Sequence, residues 1–407
     1  MDASADAVIV GGGPTGLTAA VALTLRGRSA TVVDPGEDRS VGSRALVVHA
    51  GTLAVLEKAG CAAPILSEAV QLRSMRMNSR RGLLTHSPFD TLPGPYPFAA
   101  SIHQARTEAA LRRRAEELGV RFVTAHATGV DQDEGAAAVA LDVGGFLEGR
   151  AVVGADGMHS TVREASGITF PDTGAAWGDD ANMVLADVVA SGPVDRVHLN
   201  AYPGSGLLVL IPLPNGRLRV LASVRDGERA EDLSAIQELI DSRGPLPRRG
   251  SSGRIIVDEL EWASRFHFRH HLAEGFRVGR VLLAGDAGHV HSPVGGQGMN
   301  LGIRDGWYLA EAIDASLQAD EAGERERASA LLDAYATNRR AAAQGVIAAT
   351  GRMHRMLFAP PPVRPLRNLA MRITARTPAP ARQALGLSGL LDRGPQLLSR
   401  ASSPTGV

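Results

Sequence analysis

Residues 285 to 302 read Gly-Asp-Ala-Gly-His-Val-His-Ser-Pro-Val-Gly-Gly-Gln-Gly-Met-Asn-Leu-Gly, a stretch that could do chemistry in several ways. An acid and two imidazoles could hold a metal, and the glycines could present backbone amides to an anion. With Asp286 engaged by a bound ligand, the two histidines need a further metal ligand at helpful spacing, and none is there. No metal is expected. The turn from Pro293 to Asn300 places successive N–H groups at a helix start, which suits a negatively charged ligand.

A second glycine cluster lies near the N-terminus. Ala7 to Val10 reads as a buried strand, followed by Gly11-Gly12-Gly13-Pro14-Thr15-Gly16, a helix to about Leu25, and a strand from Ala30 to Val33 ending at Asp34. Gly11 makes the tight turn, Gly13 lets the backbone approach a pyrophosphate, and Gly16 lets the helix pack on the strand. The helix N-terminus stabilises phosphate charge. Asp34 is placed to bind a ribose hydroxyl pair and repels a 2′-phosphate, so the site should hold FAD or NAD rather than NADP. Asp156-Gly157 after Val152-Val153, and Gly285-Asp286 after Val281 to Ala284, repeat the pattern of apolar strand and acid–glycine turn. Three such turns suggest one extended ligand touched along its length. NAD needs only the first, whereas FAD needs more.

The elements that must position these turns alternate between two kinds. Helical patterns run from Gly51 to Ala59, from about Thr107 to Leu118 and from about Met299 to Leu317. Residues 70 to 100 read as antiparallel strands with a Pro-rich connection, residues 130 to 150 as a meander, and residues 175 to 265 as β-rich. Gly206 to Pro214 is a continuous apolar run, typical of a covered strand. His267, His270 and His271 read as a polar edge strand. After Pro360-Pro361-Pro362 comes a short amphipathic helix with Leu366, Leu369 and Ile373 on one face. From Ala334 to Leu391 there is no acid but there are nine arginines. An anionic surface would suit that tail, but a solvated helix packed on the core is the expectation.

Composition narrows the class. The 407 residues can bury a large core, and 43 basic side chains balance 43 acidic ones, so no global field recruits nucleic acid. Aromatic residues at 4 % are too few for a base-stacking binder. The single cysteine, Cys61, excludes an intramolecular disulfide and a cysteine zinc site. No apolar run reaches the ~18 residues of a spanning helix, and no basic leader precedes the first strand, so a cytoplasmic protein without a membrane span is expected.

With these motifs the chain resembles the single-component flavin-dependent aromatic hydroxylases of the para-hydroxybenzoate hydroxylase fold, in the branch acting on aromatic polyketides and rifampicin-type antibiotics. The resemblance covers nearly the whole chain. It implies an α/β fold in which a Rossmann-like FAD-binding domain (residues 1–70, 101–172 and 270–350) is interleaved with a β-sheet substrate domain (residues 71–100 and 173–269). A helical C-terminal tail follows (residues 351–407), without the thioredoxin-like domain of many relatives. Gly11, Gly13, Pro14, Thr15, Gly16 and Asp34 match the first fingerprint, Asp156 and Gly157 the second, Gly285 and Asp286 the third. Arg44 matches an arginine at the flavin pyrophosphate, and Gln104 a glutamine near the ribityl chain. Gly298, Met299 and Asn300 belong to the turn beside the flavin, with Pro293, Gly295 and Gly296 where the redox chemistry should sit.

The implied reaction uses NADPH or NADH and O2 to oxygenate an aromatic or polyketide-type small molecule through a flavin C4a-hydroperoxide. Epoxidation, Baeyer–Villiger insertion or a redox-silent FAD protein are the alternatives on the same scaffold. A monomer or homodimer is implied, with no separate nicotinamide domain. Tyr96, Phe98, Leu210 and Val294 are candidate substrate walls. Where the family has proline before the glutamine this chain has His103. Where relatives carry Asp-Ala-x-Asn it has Asp305-Gly306-Trp307-Tyr308.

Overall fold

The computed structural model describes residues 5–36, 45–173, 182–247, 253–267 and 269–395. The strand Ala5–Val10 stands near the middle of an eight-stranded sheet, between Ala30–Asp34 and Phe146–Gly154. Outside these lie Arg121–Thr124 on one side and Val281–Leu283 on the other, all five parallel. The helix Pro14–Thr24 packs on the sheet and against the long helix Gly298–Glu321. Covered on both faces, the central strands can be apolar throughout, which is why Val8, Ile9, Val32, Val152 and Val153 are all fully buried.

The meander read between residues 130 and 150 consists of Ala127–Gln132, Ala137–Leu141 and Phe146–Gly154. Its third strand runs without a break into the parallel sheet, so the Val152 run is not a separate strand. The helix expected from Thr107 begins one turn earlier, at Gln104. The Gln104 amide donates to Glu108 at 2.7 Å across that turn.

The second layer is a seven-stranded sheet in the order Ile256–His267, Asn182–Ser191, Arg217–Ser223, Leu207–Pro212, His198–Pro203, Ser74–Ser79, Gly82–Pro88. The last two come from the earlier stretch of sequence, joined by parallel pairing of His198–Pro203 with Ser74–Ser79. One face, with Leu208, Val220 and Ala222, is covered by the helix Leu233–Arg243. The other, with Leu185, Val209 and Leu221, forms a core with the tail residues Leu357, Met371 and Leu387. His267 ends the edge strand of this sheet, whereas His271 pairs with Val290 in a separate two-stranded ladder.

The tail helix Arg364–Thr374 reverses the expected packing. Arg367 and Met371 are buried, while Leu366, Leu369 and Ile373 face outward at 68 %, 52 % and 60 % exposure. Arg367 decides this. Its guanidinium donates to the carbonyls of Met356, Leu357 and Pro203, capping the end of the helix Arg325–Leu357 and turning its own helix over. Among the described residues no helix is long and apolar enough to cross a membrane.

Candidate active site

The strands that follow Ala5–Val10 in the sheet leave it on opposite sides, so a crevice opens at its C-terminal end. Gly11 enters that crevice with φ +108°, and a Cβ there would collide with the Ala155 carbonyl oxygen. The Ala155 N–H in turn donates to Val10 at 2.8 Å, locking two of the turns together. Asp34 braces the first turn by accepting from the Gly12 N–H at 2.5 Å and from Gly36 at 3.0 Å. The third turn closes on the same place. Gly285 (φ +62°) and Gly302 leave just enough room for Thr15, whose hydroxyl a Cβ at either position would strike.

A cavity of about 540 Å³ joins this crevice to the seven-stranded sheet. Gly13, Pro14, Thr15, Gln104, Asp156, Gly157 and Asp286 line one end, and the run Pro293 to Met299 lines the middle. The far wall is Leu185, Val209, Ile211 and Leu221 of the sheet, with Met353, Leu357 and Leu387 of the tail. The start of the helix Pro14–Thr24 and the start of the helix Gly298–Glu321 therefore open onto one space, each with unpaired first-turn N–H groups.

The glycine turn is held from behind. Gly295 and Gly296 have φ +86° and +60°, which only glycine adopts without strain. His49 donates from Nε2 to the Gly295 carbonyl at 2.8 Å. Burial holds this imidazole down at about 4, so it is neutral. The fully buried Asn300 donates to the carbonyls of Val47 and Gly296, each at 2.6 Å, and accepts from the His49 N–H at 2.8 Å. Gln297 donates to Leu387 of the tail at 2.9 Å.

Under the turn lies a buried charge network. Asp305 accepts from Arg339 at 2.7 Å, from His289 at 2.6 Å and from the Gly285 N–H at 3.1 Å. Burial alone would raise the Asp305 carboxyl, but Arg339 and His289 pull it below the ordinary carboxylate value. Asp392 of the tail completes the network, bound by Arg339 at 2.6 Å and by Arg304 at 2.6 Å. On the sheet side, Arg219 and Asp187 form a buried two-bond pair at 2.6 Å each, with His103 Nδ1 at 3.8 Å from Asp187.

The sequence profile of the FAD binding domain family matches residues 4–350. The chain belongs to this family of FAD-dependent monooxygenases. Anhydrotetracycline monooxygenase of Streptomyces rimosus is 33 % identical over 408 residues, covering 95 % of this chain and 76 % of the relative. The solved structure of the OxyS anhydrotetracycline hydroxylase from Streptomyces rimosus has a TM-score of 0.75 at 29 % identity, over 97 % of this chain and 77 % of that one. The Diels-Alderase PyrE3 of pyrroindomycin biosynthesis has a TM-score of 0.73 at 25 % identity, over 94 % and 80 %.

The family's cofactor fits the monooxygenase cavity. Gly157 and Gly298 line it with no atom within 4 Å of where a Cβ would stand, so a ligand can lie directly on the backbone there. Asp286 is exposed and lines the cavity, and Asp156 accepts from the Ser160 hydroxyl at 2.5 Å and the Val162 N–H at 3.1 Å. The monooxygenase fold brings Pro293, Val294, Gly295, Gly296, Gly298 and Met299 onto the same wall as Gln104 and Asp286. Gly11, Gly16 and Asp34 stand just behind this wall, with Asn300 behind the turn. Arg44 lies outside the described residues.

Three expected substrate walls are not in the cavity. Leu210 faces the opposite side of its strand, packed with Leu208 and Ile236, because strand alternation assigns the cavity to Leu207, Val209 and Ile211. Tyr96 and Phe98 meet edge to face at 5.9 Å between ring centroids, Phe98 packing against the FAD-domain core and Tyr96 against both that core and the substrate-side one. The strand His289–Val290 is only two residues, and the rings of His289 and His291 stack at 6.3 Å and 18°. No metal-ligand cluster occurs among the described residues. Sequence reasoning missed His49, Met353, Leu357 and Leu387. Met353, Leu357 and Leu387 lie on helices and His49 caps one, positions whose local pattern does not reveal a tertiary neighbour.

Proposed function

We propose that this enzyme transfers one oxygen atom from O2 to an aromatic or polyketide-type small molecule, with NADPH or NADH as reductant. The balance is substrate–H plus O2, NAD(P)H and a proton giving substrate–OH, water and NAD(P)+. FAD, when bound, supplies the electron transfer and oxygen activation. What carries the reading is the juxtaposition of the glycine turn Pro293–Gly298 with an apolar wall of Leu185, Val209, Ile211 and Leu221 across one cavity. A flat apolar substrate held there is desolvated, which protects a reactive oxygen species from water.

The chain's own groups divide the work. The helix starts at Pro14 and Gly298 offer N–H groups to the pyrophosphate and to negative charge on the reduced ring. The exposed Asp286 carboxylate accepts from a ribityl hydroxyl, Gln104 borders the same chain, and Asp34 orients the first turn beside the ribose. Arg44 is assigned to the pyrophosphate by resemblance. His49 and Asn300 fix the turn so that its amides need no rearrangement during reaction. The anhydrotetracycline for which the S. rimosus relative is named suits the cavity's apolar far wall.

The test is rapid mixing of the FAD-loaded protein with NADPH, then with oxygenated buffer and candidate phenols or polyketides. Bleaching of the flavin followed by a product one oxygen atom heavier is expected. A flavin that NADPH and NADH never bleach, whatever the substrate, sinks the proposal. The likeness to a Diels-Alderase supports a second reading, a redox-silent FAD protein whose cavity shapes a substrate. Product formation without reductant or O2 distinguishes it.

A further inference from the structure

The helix Arg364–Thr374 carries an apolar face that nothing in the described structure covers. Val363, Leu366, Leu369 and Ile373 recur at helical spacing and are 44 %, 68 %, 52 % and 60 % exposed. Pro361, Pro362 and Pro365 extend the same surface. Soluble proteins scatter exposed aliphatics singly, whereas a contiguous stripe marks a contact surface. Arg372 and Arg376 flank the stripe, and Arg352, Arg355 and Arg382 are exposed on the neighbouring helices. The whole span from Ala334 to Leu391 lacks an acid. The strand beneath the helix, Gly82–Pro88, carries none either.

An apolar stripe bordered by arginine, on a helix too short to span, is the pattern of a segment lying in a lipid headgroup layer. Charge selects the surface. A basic, acid-free flank is attracted to anionic lipid, each arginine adding to the affinity. We propose that this helix docks the protein on an anionic lipid bilayer, with Leu366, Leu369 and Ile373 entering the acyl boundary and Arg372 and Arg376 meeting phosphate. The place is informative. Met353 and Leu357 of the preceding helix and Leu387 of the next line the cavity, so lipid contact would sit next to the elements that form its far wall. The docking does not depend on which reaction the cavity performs.

The experiment is flotation of the FAD-loaded protein with vesicles of phosphatidylglycerol and phosphatidylcholine, against phosphatidylcholine alone. Binding to the mixed vesicles is expected, weakened on the order of tenfold by Arg372→Glu with Arg376→Glu and abolished by Leu366→Glu, Leu369→Glu and Ile373→Glu together. The substituted side chains are exposed, so FAD content and melting temperature should stay unchanged, and both are measured on the same samples. Absence of vesicle binding overturns the proposal, as does equal binding to neutral vesicles or binding that survives the triple substitution. A concentration-dependent dimer in gel filtration, lost in the triple variant without any vesicle binding, overturns it by assigning the face to a second copy.

Discussion

His49 Nε2 stands 2.8 Å from the Gly295 carbonyl oxygen and ties the start of the helix Ala50–Lys58 to the turn that faces the cavity. The bond fixes a peptide whose orientation decides where the neighbouring amides point. His49→Ala removes the shorter of the two side-chain bonds to this carbonyl and leaves Gln297 at 3.2 Å, at a cost of about 1 kcal/mol. Faster FAD loss and a lower denaturant midpoint are expected, with His49→Gln restoring part of both. An unchanged FAD dissociation rate would remove His49 from this role.

Acid should unfold the protein through buried histidines. Burial holds His49, His291 and His354 each at about 4, against about 6.5 in the unfolded chain. Below pH ~6.5 the unfolded chain takes up protons that the folded state refuses, so stability falls on acidification until about pH 4 and then levels. Each histidine contributes about 3 kcal/mol, so the combined loss is on the order of 10 kcal/mol. Urea titrations at several pH values check it, and His291→Asn should shallow the slope.

The Asp305–Arg339 pair has no solvent exposure on either side chain, and removing Asp305 leaves Arg339 with Asp392 alone and takes the acceptor from His289 and the Gly285 N–H. Asp305→Ala should cost about 3–5 kcal/mol. Adding Arg339→Met to the same chain should cost less than Arg339→Met costs alone, because the pair's interaction is already gone and Arg304 still holds Asp392. Thermal melts of the two singles and the double measure the coupling. Additive losses would show that the pair does not act as a unit.

Val209 and Leu210 are adjacent in sequence and opposite in effect. Val209→Phe should fill cavity space and raise KM or change substrate preference while leaving the melt nearly unchanged. Leu210→Ala empties the core under the helix Leu233–Arg243 and should cost about 2–5 kcal/mol with KM little altered. Steady-state kinetics beside melting curves separates the two.

Gly11→Ala meets both a positive φ and the Ala155 carbonyl, so the two central turns must part. Loss of FAD from the purified protein is expected even where it still folds, read from the flavin absorbance ratio. Retention of full FAD occupancy would show that this close approach is dispensable.

Much of the FAD-binding half was legible because its signals are local. The Gly11 to Gly16 cluster with Asp34, and the acid–glycine turns at Asp156 and Asp286, each follow a short apolar strand. A strand end and a turn are set by residues next to one another. The substrate side was legible only as β-rich. In Leu207 to Pro212 every residue is buried, so no polar position marks which alternate set faces the cavity. Leu210 was expected there for that reason, and Val209 stands there instead.

The residues themselves thus determined the turns, the central strands and the likeness to FAD-dependent monooxygenases, since backbone freedom at glycine and strand patterning act over a few positions. Tertiary structure decided which wall the substrate domain turns to the glycine turn, because that depends on a helix covering the other face. It decided the partners of His289 and Arg339, which lie 16 and 34 residues from Asp305 in the chain. It also decided the outward face of the tail helix. Arg367 there satisfies three carbonyls that no local pattern places beside it.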